Sequence, residues 1–100
     1  MGRHAKIARA LRALYQTGLL RILTRNEVRL YLHLLLFSPH RGSPLTPRTL
    51  CRRLRVSRTI LMRALARLEQ KALIRVDRRF YGGQKGLVLT VALLPIRRRH

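Results

Sequence analysis

Two residues, Thr46 and Ser57, each stand directly before a run whose apolar residues recur at helical spacing. A Thr or Ser hydroxyl accepts from the orphan N–H groups of a first helical turn, so each marks a helix start. Pro47 follows the first cap, where the missing N–H would have no partner anyway. The run after Thr46 carries Leu50, Cys51 and Leu54, with Val56 in the turn; the run after Ser57 carries Leu61, Ala64, Leu65 and Leu68. Arg58, Thr59, Arg63 and Arg67 fall outside that second stripe. An apolar back, a basic front and a shorter partner helix across a tight turn make a helix-turn-helix.

The flanking sequence decides what architecture holds this motif. Residues 3–17 are rich in Ala, Arg and Leu, with Ile7, Ala8, Leu11, Leu14 and Tyr15 on one side and Arg3, Lys6, Arg9 and Arg12 on the other. That predicts an amphipathic helix stopped by Gly18. Its apolar face requires cover, from its own domain or from a second copy, with an anionic membrane surface as the remaining alternative. Leu19 to Leu23 reads as an apolar linker folding onto the core. Thr24 and Glu27 have capping-box spacing, with Leu23 and Val28 as the staple around them. The helix they open, Arg25 to Phe37, is apolar around most of its circumference and is expected at the centre of the fold. His33 within it reads as a structural or interface histidine, since no metal-ligand spacing surrounds it.

Residues 38–44 are loop by composition, and Leu45 is placed to form a short strand before the helix at Thr46. After the second helix of the motif, residues 74–80 alternate apolar and charged as a half-buried strand does. Residues 81–86 form a glycine-rich tip. Residues 87–94 return as a strand apolar on both faces, one of which covers the helices. The other face needs cover from the N-terminal helix or another subunit. The expected fold is therefore mainly α with a small β-hairpin, a winged helix-turn-helix with an extra N-terminal helix. Its parts are a basic helix and linker over 1–23, the winged domain over 24–96 and a basic tail over 97–100.

The segment from Val56-Ser57-Arg58-Thr59 to Arg63-Ala64-Leu65, then Arg67-Leu68-Glu69-Gln70-Lys71-Ala72-Leu73-Ile74, resembles the recognition-helix region of MarR-like winged helix-turn-helix regulators. The resemblance spans about the last two-thirds of the chain. It departs at Arg55 and Ala72, two places where glycine is common in that family. The superfamily includes activators, repressors, replication initiators and RNA-binding modules, so it implies a fold more narrowly than a function.

Charge points to the partner. Lys and Arg number 23 against three acids, for a net +20, and all but three of the bases are arginine. Such a surface repels itself and is suited to a polyanion; arginine adds bidentate recognition of phosphate or guanine. Codon bias can explain arginine in place of lysine, but not the missing acids. Glu27 reads as a cap, while Glu69 and Asp77 flank the start of the wing beside arginines. No carboxylate pair, nucleophile–base pair, metal cluster or phosphate loop can be assembled, so neither an enzyme, a metal site nor a cofactor is expected. The lone Cys51 reads as a small core hydrophobe. The composition suits a reducing cytoplasm, with nucleic acid placing the chain on the nucleoid, and no apolar run approaches a membrane span.

Groove contacts are expected from Arg58, Thr59, Ile60 and Arg63, because the early residues of such a helix meet base edges; Ser57 and Arg67 of the same segment are also expected to touch nucleic acid. Thr46, Arg48, Arg52 and Arg53 belong to the preceding helix and suit backbone phosphate, with Thr46 and Arg48 at its N-terminus. Arg78, Arg79 and Lys85 on the wing suit the minor groove or flanking backbone. Ile60 and Met62 could read a thymine methyl or be buried, and Tyr81 could pack on a sugar or at the wing base. Three function classes follow. The first is a small regulator of duplex DNA, working as a homodimer. The second is a non-sequence-specific binder, architectural, replication-accessory or RNA-binding. The third is a protein-interaction winged helix in a nucleoprotein complex.

Overall fold

A computed structural model describes residues 3–37, 44–81 and 86–96. Among the described residues, five helices and three strands follow one another as α1 (Arg3–Gln16), α2 (Leu19–Ile22), α3 (Arg25–Phe37), β1 (Pro44–Leu45), α4 (Pro47–Leu54), α5 (Arg58–Gln70), β2 (Ile74–Tyr81) and β3 (Gly86–Leu93). The strands form one antiparallel sheet in the order β1-β3-β2. Helix-turn-helix, short leading strand and two-stranded hairpin are all present, so the chain is a winged helix with an added N-terminal helix. The loop of residues 38–43, the wing tip of residues 82–85 and the tail of residues 97–100 lie outside the described residues.

Local chemistry explains each element boundary. Gly18 stops α1 with φ +79, a conformation that favours glycine. Thr24 opens α3 through the full capping box. Its hydroxyl accepts from the Glu27 N–H at 3.2 Å and donates to the Glu27 carboxylate at 2.9 Å, while that carboxylate accepts from the Thr24 N–H. Thr46 accepts from the Thr49 N–H to open α4, and Ser57 accepts from the Ile60 N–H to open α5. Both N–H···O distances are 3.2 Å. At the far end of α5, the Leu73 N–H reaches the Leu68 carbonyl and the Ala72 N–H reaches that of Glu69. These two bonds make a Schellman ending, and Leu73 packs back on Leu68, both fully buried.

One core joins all the layers. Leu30, Tyr31 and Leu34 of α3 meet Leu50 and Leu54 of α4, Leu61, Ala64, Leu65 and Leu68 of α5, and Ile74, Val76, Leu89 and Val91 of the sheet. Helix α1 packs on α3 and contributes Ala10 and Leu14 to the same core.

Two details differ from the sequence reading. The buried side of α1 is centred on Ala10 and Leu14, so Ala8 and Tyr15 face water instead. Residues 19–22 form a short helical turn rather than an extended linker, though Leu23 is buried as expected. On β3, Val88, Thr90 and Ala92 of the second face are half-buried. Helix α1 lies over α3 and lines a cleft with Leu93 to Ile96 at the end of that strand.

Candidate nucleic-acid interface

The N-terminal half of α5 is the best-defined part of the surface. Leu61, Ala64, Leu65 and Leu68 bury one side, which leaves Thr59 and Arg63 exposed on the other, and Arg58 is exposed at the helix start. Ile60 is 39% exposed and stands among them. Met62 is half-buried and packs against the core, which separates it from Ile60. The Ser57 hydroxyl is itself exposed while it caps the first turn. Arg58, Arg63, Arg48 and Arg52 have no carboxylate within ion-pair distance among the described residues.

Helix α4 lies beside this surface. Arg48, Arg52 and Arg53 are exposed, whereas Thr46 is half-buried and its hydroxyl is held by Thr49, 2.8 Å from the Thr49 hydroxyl. The α4 C-terminus closes at Arg55, which adopts φ +57. Arg29 of α3 donates to the Leu54 carbonyl at 2.6 Å, so a helix-end carbonyl gains a charged partner. Sequence reading missed this tie because its two ends are far apart in the chain. His33, one turn after Arg29 on the same side of α3, is half-buried; burial, and then the nearby Arg53 charge, hold its pKa below the ordinary 6.5.

Several arginines are engaged within the molecule. The Arg67 Nε lies 3.0 Å from the Glu27 carboxylate, and Glu27 is only 3% exposed. That N–H is shielded from water and does not point along a linear hydrogen bond, so the contact is an ion pair. It joins the start of α3 to the end of α5. Arg78 of β2 donates two hydrogen bonds to Glu69 near the end of α5, which raises the Arg78 pKa further above its usual range. Arg79 lies 3.8 Å from Asp77, with both side chains mostly in water. Lys85, the remaining wing cation singled out in the sequence, lies outside the described residues.

The wing also carries aromatic rings in water. Phe80 is 78% exposed and Tyr81 44% exposed at the distal end of β2. The alternation of residues 74–80 put Phe80 on the same side as the buried Ile74 and Val76. The helix layer does not extend that far, so Phe80 has no core to enter. Tyr81 sits at the tip end, paired with Gly86, not at the wing base.

The MarR family model matches residues 23–79, from the end of α2 to the distal part of β2. The chain belongs to the MarR family. Members of this family are winged-helix DNA-binding regulators of transcription, which agrees with the helix-turn-helix, the wing and the basic front of α5. No curated protein and no solved structure matched the chain. Among the described residues no helix is long and apolar enough to cross a membrane, and no group of three or more His, Cys, Asp or Glu residues could hold a metal ion.

Proposed function

We propose that this MarR-family chain is a small transcriptional regulator that reads duplex DNA with the first half of α5. One observation carries the reading: Arg58, Thr59, Ile60 and Arg63 are all exposed in the first half of α5, with Thr59 and Arg63 opposite its buried stripe. An α-helix fits the major groove, and bidentate arginine there distinguishes guanine. Arg48 and Arg52 on α4 and Arg79 on the wing flank that helix and suit phosphates. Thr46 and Ser57 serve first as caps, with their helix N-termini available to phosphate. Arg67 and Arg78 are tied to carboxylates and belong to the support of α5 and the wing. The working form is a homodimer bound to the nucleoid, with α1 as the contact element, since Tyr15 is 67% exposed while Ile7 and Leu11 are half-buried.

A second reading, binding without sequence preference, draws on the net +20, which exceeds what one recognition helix needs. Selection from a random duplex pool, with a single-stranded RNA pool in parallel, separates the two. A regulator enriches a defined duplex site, and its affinity falls by about three to five decades between roughly 50 and 200 mM salt. Arg63→Ala then relaxes base preference at one position, whereas Arg79→Ala weakens all duplexes alike. Equal recovery of all duplexes, or preferential capture of RNA, would overturn the first reading.

A further inference from the structure

We propose that Phe80 is an apolar wedge, entering the minor groove of duplex DNA from the wing and opening a base step beside the site read by α5. The inference rests on the duplex-binding reading above and adds a residue, a groove and a deformation of the DNA to it.

The geometry of β2 supports it. The strand starts in the core, with Ile74 and Val76 buried on its inner face. Arg78 is next on that face, and its guanidinium holds Glu69 near the end of α5. Phe80 follows, about 20 Å along the strand from Ile74 at roughly 3.3 Å per residue. Helix cover has ended there. The cross-strand neighbour is Leu87, itself half-buried, and the Phe80 ring remains 78% exposed. No other large apolar side chain among the described residues is so open to water. A ring in that position adds little to the fold.

Its neighbours indicate what covers it. Arg79 is next in the chain, with its side chain 72% exposed, and Tyr81 presents a second ring on the opposite face. The projecting end of a two-stranded ribbon thus offers a flat apolar ring next to an exposed cation. A second copy of this chain would bring more positive charge to the same place, and like charges repel. Duplex DNA supplies the complementary partner: phosphates for the arginines, with sugars and stacked bases between them. The minor groove is too narrow for a helix but admits the end of a ribbon. Phe and similar side chains that enter it partly unstack a step and kink the duplex toward the major groove. Pyrimidine–purine steps yield most easily, so the wedge adds a preference for such a step at a position that no hydrogen bond reads.

The test uses the full chain, the duplex it selects and end-labelled copies of that duplex for distance measurement by energy transfer. Phe80→Ala and Phe80→Leu are compared with the parent. The expected result is a bent duplex with the parent and with Phe80→Leu. Phe80→Ala gives a nearly straight duplex and roughly tenfold weaker binding, as for loss of one base–aromatic stack. The salt slope stays the same, because no charge is removed, and the melting temperature stays the same, because the ring is in water. Replacing the flanking TA or CA step weakens the parent and leaves Phe80→Ala unaffected. A parent that fails to bind duplex defeats the underlying reading. A parent that binds, with Phe80→Ala matching it in affinity and bend, overturns the wedge alone. A drop in sedimenting mass or in melting temperature for Phe80→Ala would also overturn it, since the ring would then belong to a protein contact.

Discussion

The two ends of α5 carry the same residue type under opposite conditions. At the front, Arg58 and Arg63 are exposed and face no carboxylate among the described residues. At the back, Arg67 is paired with the buried Glu27, and Glu69 draws in Arg78 from the wing. The chain has only three acids, and two of them are placed at this one helix end. The third, Asp77, lies one residue before Arg78 on the wing. Uniform depletion of acids would have left the back as bare as the front. The pattern instead fits a division of labour: acids hold the back of the helix in position, and the front keeps its positive charge for a polyanion.

Breaking the back is expected to have the largest effect. Glu27→Ala removes the reciprocal half of a capping box and leaves Arg67 without its partner. The carboxylate is 3% exposed, so its hydrogen bonds are made away from water. Loss of the cap and of the buried charged contact together should lower stability by about 2–3 kcal/mol. Urea unfolding followed by circular dichroism measures it directly. Arg63→Ala at the front should leave the same unfolding midpoint unchanged, which makes the pair a two-way test. Equal stability losses at front and back would dissolve the distinction.

How much of this division could be read from sequence follows from how local each device is. The caps at Thr24, Thr46 and Ser57 were legible because each involves residues three apart. The stripe of Leu61, Ala64, Leu65 and Leu68 was legible because helical spacing is periodic. The first wing strand was legible for the same kind of reason, since its apolar and charged residues alternate. The Glu27–Arg67 pair was not, since it joins elements distant in the chain that only the packing of α3 on α5 brings together. The Arg29 contact with the Leu54 carbonyl is hidden in the same way. Phe80 marks a different gap. Strand alternation tells which face a residue is on, but not where the helices covering that face end. The turn at residues 19–22 is too short for periodicity to reveal.

The back of α5 also contains a backbone flaw that can be repaired. Ala72 adopts φ +58 as the residue that closes the Schellman ending, and Arg55 adopts φ +57 at the end of α4. These are the two non-glycine positive-φ residues among those described, and they are the two positions where the sequence departs from the expected glycines. A left-handed conformation strains an L-residue through its Cβ, while glycine adds entropy to the unfolded chain. The two effects oppose each other, and Ala72→Gly should leave a net gain of about 0.5–1 kcal/mol. For a domain of this size that is a rise of roughly 3–5 °C in melting temperature. Duplex affinity should be unaltered, because the change is remote from Arg58 and Arg63. A fall in melting temperature would show that the helix end is not under strain.

The smallest expected stability change is the most informative about charge. Glu69→Gln keeps the shape of the Arg78 contact and removes its charge. The two side chains are 28% and 40% exposed, and ion pairs so open to solvent contribute little, about 0.5 kcal/mol or less. The consequence should appear in binding instead. Arg78 then has no carboxylate to neutralise it and can turn to a phosphate beside the wing. One further neutralised phosphate makes the slope of log affinity against log salt steeper by about 0.9. Affinity at low salt rises accordingly, and the advantage over the parent shrinks as salt is added. An unchanged slope would mean that Arg78 remains part of the support for the wing without Glu69. The boundary between the positioned back and the available front would then lie at the strand itself, with Arg79 the first described wing residue on the DNA side.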